Sequence, residues 1–243
     1  MCIRDRWERT IGPSESSPLV ANGLVYFGDW NGKVWALDAQ TGAVRWTQQV
    51  GGKVKGGLAL DGNTVFVGSY DHNVYAFDAH TGALRWRTGA QLGLGSQGTF
   101  YSTPAAAYGR VYIGATDGKV YSFGATSGEE RWSYGTGSYV YASPAVWRER
   151  VYVGSYSGTF YCFDAATGDV KWSFHANGAI SGSATVLGGI VYFATLSRTT
   201  YGLEASTGRQ VWSFPDGKYS PIVADSKRVY LVGYGSIYGM VER

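Results

Sequence analysis

With 243 residues, 44% of them hydrophobic and 16% aromatic, the chain can fill a sizeable core, and its 36 glycines spread between apolar runs indicate many tight turns. The formal charge of +3 comes from scattered acids and bases with no basic stripe, which argues against a nucleic-acid partner. No apolar run approaches the roughly 20 residues of a membrane-spanning helix, and the two cysteines, Cys2 and Cys162, make neither a disulfide framework nor a metal site.

The first six residues, MCIRDR, match nothing later and lack the apolar stretch of a signal peptide. Residues 1–6 therefore read as a non-native leader, and residues 7–243 as a single repeat domain. RWERT (Arg6–Thr10) has the pattern of an outer strand that lacks its own sheet. Tryptophan then recurs in one local context at positions 7, 46, 86, 132, 172 and 212, at spacings of 39, 40, 46, 40 and 40 residues. A period of this size marks a propeller, a solenoid or an array.

The phrase that carries the period first appears as ALDAQTGAVRW (Ala36–Trp46), then as AFDAHTGALRW (Ala76–Trp86) and CFDAATGDVKW (Cys162–Trp172). Asp38 can accept nearby backbone N–H groups in an Asx-type turn, and Gly42 supplies a positive φ at little steric cost. The second strands are apolar at consecutive positions, as at Val65–Val67, Val111–Ile113, Val151–Val153 and Val191–Phe193. A sheet with one wet face would alternate, so both faces of these sheets should be covered. Between Trp132 and Trp172 four strands are expected, at Tyr141–Val146, Arg150–Ser155, Gly158–Asp164 and Asp169–Phe174, separated by short turns.

Four antiparallel strands per repeat define a β-propeller blade. The expected fold is thus all-β, with six repeats visible: five complete, and a sixth that ends at GSIYGMVER without its outer strand. Either the orphan strand completes the last blade, or the chain is an excerpt of a longer, eight-bladed propeller; the leader favours the excerpt. Trp46, Trp86, Trp132, Trp172 and Trp212 are expected to dock between neighbouring blades, each indole N–H reaching a backbone acceptor. Loss of one such buried ring should cost about 3–5 kcal/mol.

The string A-x-D-x-x-T-G-x-x-x-W resembles the tryptophan-docking motif of propellers similar to the pyrroloquinoline quinone (PQQ) dehydrogenases. It is complete at Ala36–Trp46 and Ala76–Trp86, and departs only at its first residue at Cys162–Trp172. The third copy has Gly124 and the fifth Glu204 in place of the aspartate, which suits a turn-former better than an obligate metal ligand. The resemblance spans Trp7 to Arg243. It implies one of two branches: quinoprotein dehydrogenases holding PQQ and Ca²⁺, or non-catalytic propellers such as the lipoprotein of the outer-membrane β-barrel assembly machinery.

The dehydrogenase branch, by the same resemblance, carries adjacent cysteines, Ca²⁺-binding Glu and Asn, and an Asp base. Adjacent cysteines are lacking here, and Glu15, Asp61 and Asp216 are the acids in the loops that precede inner strands. Lys53 and Lys55 read equally well as solvated loop residues. GLGSQG (Gly93–Gly98) matches a nucleotide-binding string, but an expected strand follows it where a helix would be needed. The turns between second and third strands vary most and share a face with the loops entering the inner strands. They offer Trp30, Tyr70, Asp71, His72, Tyr156 and Arg198 as a partner-binding face, although aromatics there can also simply cover blade edges.

The expectation is therefore a non-catalytic, monomeric, extracytoplasmic scaffold that binds another protein and needs neither cofactor nor metal. A PQQ- and Ca²⁺-dependent alcohol or sugar dehydrogenase is the alternative, and a carbohydrate- or cell-wall-binding propeller a third.

Overall fold

The computed structural model describes residues 7–90, 98–219, 222–224 and 228–241, and all its long regular elements are strands. The first sheet contains β1 (Leu19–Ala21), β2 (Leu24–Gly28), β3 (Lys33–Asp38) and β4 (Val44–Gln49). The second contains β5 (Ala59–Asp61), β6 (Thr64–Gly68), β7 (Asn73–Asp78) and β8 (Leu84–Gly89). The third contains β9 (Ala105–Ala107), β10 (Arg110–Gly114), β11 (Lys119–Gly124) and β12 (Glu130–Gly135). The fourth runs through β13 (Ala145–Trp147), β14 (Arg150–Gly154), β15 (Thr159–Asp164) and β16 (Val170–His175). The fifth runs through β17 (Thr185–Leu187), β18 (Ile190–Ala194), β19 (Thr200–Glu204) and β20 (Gln210–Phe214). The sixth has β21 (Val223–Ala224), β22 (Val229–Val232) and β23 (Ile237–Met240).

Strands follow chain order within every sheet, giving five four-stranded meanders and one of three strands among the described residues. Their pairing is antiparallel, as in Ala145↔Tyr152 and Val151↔Phe163. The first strand of the fourth sheet is shorter than the sequence suggests. It starts at Ala145, as β5 and β17 start at the equivalent Ala59 and Thr185, and residues 141–144 form an irregular approach. RWERT also differs from expectation: Trp7–Thr10 is described without any strand.

Two compact units divide the chain, one of residues up to Val111 with Phe123–Glu129, the other of Tyr112–Ser122 with the residues from Glu130 on. In the first unit, Val65 and Val67 pack into the core with Tyr26, Val34 and Trp46 of the first sheet. Phe66, pointing the opposite way, meets Trp86 at 5.8 Å between ring centroids. In the second unit, Val151 and Val153 pack with Tyr112 and Trp132 of the third sheet, while Tyr152 packs with Val191 and Phe193 of the fifth. Strand periodicity of two sends neighbouring residues to opposite faces, so consecutive apolar residues follow from sheets covered on both sides.

The recurring phrase builds the joint between sheets. Asp38 Oδ1 accepts from Gln40 N, Thr41 N and Thr41 Oγ1 at 2.9–3.1 Å, and Oδ2 accepts from Arg45 at 2.7 Å. The Arg45 bond, with the Thr41 and Gln40 bonds behind it, holds the Asp38 carboxyl well below the usual range; Arg85 does the same for Asp78. Gly42 and Gly82 then turn the chain at φ of 68° and 73°. A second requirement on these glycines was not legible beforehand: a β-carbon on Gly82 would lie 2.7 Å from the ring of Trp46.

Each docked indole donates to the alanine carbonyl that follows the turn aspartate, or Gly124 or Glu204 in its place. The bonds are Trp7 Nε1 to Ala39 O (3.1 Å), Trp46 to Ala79 (2.8 Å), Trp86 to Ala125 (2.9 Å), Trp132 to Ala165 (3.1 Å) and Trp172 to Ala205 (3.1 Å). In three joints a second-strand tyrosine shares that carbonyl: Tyr26, Tyr112 and Tyr152 donate at 3.1, 3.0 and 3.1 Å. In the first, second, fourth and fifth sheets a bulge falls just past the position opposite the tryptophan, and the indole sits across from Ala36, Ala76, Cys162 or Gly202. Cys162 is fully buried there, and burial pushes its thiol up to about 11. Trp212 makes no such bond among the described residues and lines an apolar cavity of about 820 Å³ with Tyr192, Phe214, Val229 and Met240.

Candidate functional site

The turns between second and third strands are clamped to the loops that enter the first strands. In the first unit, Val54 N donates to Asp29 O (3.0 Å), Tyr70 N to Lys53 O (2.9 Å) and Phe100 N to Ser69 O (3.2 Å). In the second, Tyr156 N donates to Tyr139 O (2.9 Å) and Leu196 N to Ala179 O (2.8 Å). Within each unit these loops thus form one end of the stacked sheets, and the candidate side chains stand on it.

Lys55 organises the cluster of the first unit. Its Nζ lies 4.7 Å from the ring centroid of Trp30, 5.6 Å from Tyr70 and 5.8 Å from Tyr101. Lys53 Nζ stands 4.9 Å from the same Trp30 ring, and Glu15 closes an ion pair with Lys55 at 3.2 Å. Both lysines are therefore held over aromatic faces by ring quadrupoles, which a freely solvated loop would not require. The Trp30 indole N–H is buried without a hydrogen-bond partner among the described residues.

Asp71 and His72 stand differently. The Asp71 carboxylate accepts from Gly51 N (2.8 Å), Asn73 N (3.1 Å) and the Tyr75 hydroxyl. Burial pushes that carboxyl up, but the bonds from Tyr75, Ser69 and Asn73 outweigh it and hold it below the usual range. Its role in the geometry is to fix the turn that presents Tyr70. His72 takes a positive φ of 71°, and its carbonyl accepts from Ala90 N, so it shapes the same turn.

In the second unit Tyr156 belongs to a triad with Tyr139 and Tyr141, with centroids 5.6–6.4 Å apart. Tyr139 is 50% exposed and Tyr156 38%. Arg198 stacks its guanidinium 3.8 Å over the exposed Tyr234, which Lys218 also approaches at 5.1 Å. Sequence reasoning missed Tyr101, Tyr139, Tyr141, Lys218 and Tyr234. The signal of the first four, an aromatic or basic residue in a loop entering a first strand, becomes visible only when those loops meet the other turns; Tyr234 lies in the β22–β23 turn, the same kind of turn as the expected candidates.

Among the described residues no three His, Cys, Asp or Glu side chains gather as a metal set. Of the acids expected before inner strands, Glu15 pairs with Lys55, Asp216 accepts from Gly217 N, Tyr234 N and the Tyr238 hydroxyl, and Asp61 stands instead at the hairpin end of β5 itself. Among the described residues these acids stand in separate contacts and do not gather as one donor set. The GLGSQG string falls almost wholly outside the described residues. No helix among the described residues is long and apolar enough to cross a membrane.

A family model described as "Outer membrane protein assembly factor BamB" matches residues 4–48, 31–143 and 139–238. No curated protein matches the chain in sequence. Among solved structures, BamB from Moraxella catarrhalis is similar at 22% identity and a TM-score of 0.79, over 93% of this chain and 70% of that one. The computationally designed Ika8 protein is similar at 18% identity and a TM-score of 0.82, with the same coverages. Quinohemoprotein alcohol dehydrogenase ADHIIG from Pseudomonas putida HK5 is similar at 15% identity and a TM-score of 0.75, over 90% of this chain and 51% of that one. At these identities the structural likeness carries the fold alone, an all-β propeller of PQQ-like repeats.

Proposed function

Because this chain belongs to the family described as outer membrane protein assembly factor BamB, we propose that it is a non-catalytic, extracytoplasmic scaffold that binds another protein through the loop ends of its two units, which carry Trp30 and Tyr70 in the first and Tyr156 and Arg198 in the second. One observation carries the reading: Lys55 is held against Trp30, Tyr70 and Tyr101 beside Glu15. Preorganised aromatic and cationic groups cost little conformational entropy on binding and are typical anchors of protein interfaces. Asp71 and His72 support this surface by setting the turn beneath Tyr70. The repeated aspartates form turns and the repeated tryptophans form joints, so the regular part of the sequence builds shape, leaving the variable turns to choose the partner.

Photo-cross-linking tests the reading. A photoreactive residue at Trp30 or Tyr156 should capture one discrete partner from a cell-envelope extract. The same residue at Tyr108, in a first-to-second-strand turn, should not. Lys55→Glu should abolish capture at Trp30 while leaving the circular dichroism unchanged. Equal capture from Tyr108 would defeat the proposal. A saturable, Ca²⁺-dependent absorbance change on adding PQQ would do so in favour of the dehydrogenase alternative.

A further inference from the structure

The fifth copy of the repeated phrase, Gly202–Trp212, rearranges its charges. Glu204 replaces the turn aspartate, and Arg209 stands where the other copies carry Ala43, Ala83, Glu129 and Asp169. Val211 takes the position before the tryptophan that Arg45, Arg85, Arg131 and Lys171 hold elsewhere. In the first, second and fourth copies that basic residue pairs with the turn aspartate at 2.7–3.0 Å. With Val211 there, Glu204 is left with Arg209 at 3.4 Å, a looser pair whose arginine side chain is 70% exposed.

The hairpin of the neighbouring fourth sheet is also exceptional. First-to-second-strand turns of the other four-stranded sheets contain a glycine, at Asn22–Gly23, Gly62–Asn63, Tyr108–Gly109 and Gly188–Gly189. Arg148–Glu149 has none, yet both residues take positive φ. Left-handed backbone is strained at a residue with a β-carbon, and such strain points to a task for the side chain beyond the turn itself.

These exceptions meet in one open pocket of about 560 Å³ within the second unit, whose lining includes Trp147, Arg148, Arg150, Glu204, Arg209 and Val211. Arg148 stacks its guanidinium 4.4 Å over the Trp147 ring. Stacking uses the face of a guanidinium and leaves its N–H edge to donate. Arg150 Nη1 donates to Ser206 O (2.8 Å), which fixes that side chain with other donors to spare. Among the described residues neither Arg148 nor Arg150 has an acid partner. The lining thus sets three guanidinium groups against the single carboxylate of Glu204, beside an apolar wall from Trp147 and Val211.

We propose that this pocket binds a phosphate monoester with an apolar body. The phosphate accepts from Arg148, Arg150 and Arg209, and the body lies against Trp147 and Val211. A dianion matches the excess of positive charge in the lining, and its terminal oxygens suit forked donors arriving from separate turns. The pocket stands on turns that join first to second and third to fourth strands. Tyr156 and Arg198 stand on second-to-third-strand turns, at the other end of each meander, so the proposal is independent of the partner-binding ends.

Calorimetric titration of the full chain with phenyl phosphate tests it. Saturable binding of one ligand per chain is expected, with a Kd of about 1 mM or tighter. Inorganic phosphate lacks the apolar body and benzoate carries only one charge, so each should bind at least about fivefold more weakly. Arg209→Gln removes one charge-assisted donor and should weaken phenyl phosphate about tenfold. Arg148→Asn/Glu149→Gly should weaken binding as well while raising the urea midpoint, a combination that loss of fold cannot give. Arg45→Gln, in the corresponding turn of the first sheet, should leave binding unchanged. Absence of saturable binding overturns the proposal. So does benzoate or inorganic phosphate binding as tightly as phenyl phosphate, full affinity in Arg209→Gln or in the double variant, or an equal loss in Arg45→Gln.

Discussion

Trp86→Phe should destabilise the protein more than Trp132→Phe, although both tryptophans are similarly buried. Trp132 shares the Ala165 carbonyl with Tyr112, so after its loss the tyrosine hydroxyl still donates there at 3.0 Å. At the Trp86 joint the tyrosine is replaced by Phe66, whose ring lies at 5.8 Å and 37° to the indole, against 5.9 Å and 38° for Tyr112. Among the described residues Ala125 O accepts from Trp86 alone. A paired carbonyl that loses one of two donors should cost about 1 kcal/mol, whereas one left buried and unpaired should cost about 1–3 kcal/mol. The smaller ring removes roughly equal contact in both variants, about 1 kcal/mol. The expected totals are thus about 2 kcal/mol for Trp132→Phe and about 2–4 kcal/mol for Trp86→Phe. Phe66→Tyr should restore the missing donor, adding about 0.5–1.5 kcal/mol to the parent and shrinking the cost of Trp86→Phe. Urea unfolding followed by circular dichroism measures all four. Equal costs at the two joints, or a Phe66→Tyr variant that leaves the Trp86→Phe cost unchanged, would refute the shared-carbonyl reasoning.

Gly82→Ala should lower stability by more than about 2 kcal/mol, since it adds a clash with the Trp46 ring to the strain of positive φ, whereas Gly23→Ala, with open space around it, should cost only about 1 kcal/mol; thermal melts compare them. The Asp38 and Asp78 carboxyls are held below their ordinary range by Arg45 and Arg85, so their stabilisation is complete above about pH 4 and disappears as pH falls through the lowered folded values. Asp78→Asn should therefore melt below the parent at pH 7, with a gap that starts to narrow only below about pH 4 and closes only in stronger acid, as pH falls through the lowered folded value; a gap independent of pH would contradict this. Arg148 and Glu149 both adopt positive φ, 47° and 57°, where the equivalent hairpin of the first sheet uses Asn22–Gly23. Replacing them with Asn–Gly should stabilise by about 1 kcal/mol, read as a higher urea midpoint.

Much of the architecture was legible because its signals are local. The aspartate, the glycine and the tryptophan of each phrase lie within eleven residues, and each makes its turn or its joint with little help from distant sequence. The start of β13 was misplaced because apolar character continues through Tyr141–Val146, while the ladder holds only the three residues next to the hairpin turn, as it does in β5 and β17. The shared carbonyl was hidden for a different reason: Tyr26 reaches Ala79, and Tyr112 reaches Ala165, across 53 residues. The Lys55 cluster was hidden likewise, since Glu15, Trp30, Tyr70 and Tyr101 arrive on separate loops. Trp30 and Tyr70 could be singled out from turn position alone, but the lysine that joins them looked like ordinary loop charge. Asp71 and Tyr70 are neighbours in sequence, yet one faces its own turn and the other the cationic cluster. Only the hydrogen bonds of Asp71 distinguish them.

The central claim is that tryptophan indoles join successive sheets by docking on the turn of the next one. Hydrogen exchange of the indole N–H groups, resolved by ¹⁵N NMR and assigned by single Trp→Phe variants, tests it most directly. Trp46, Trp86, Trp132 and Trp172 should exchange slowly, and Trp212, which has no docking turn among the described residues, should exchange fast. Rapid exchange at the four docked indoles, or protection of Trp212 equal to theirs, would contradict the account.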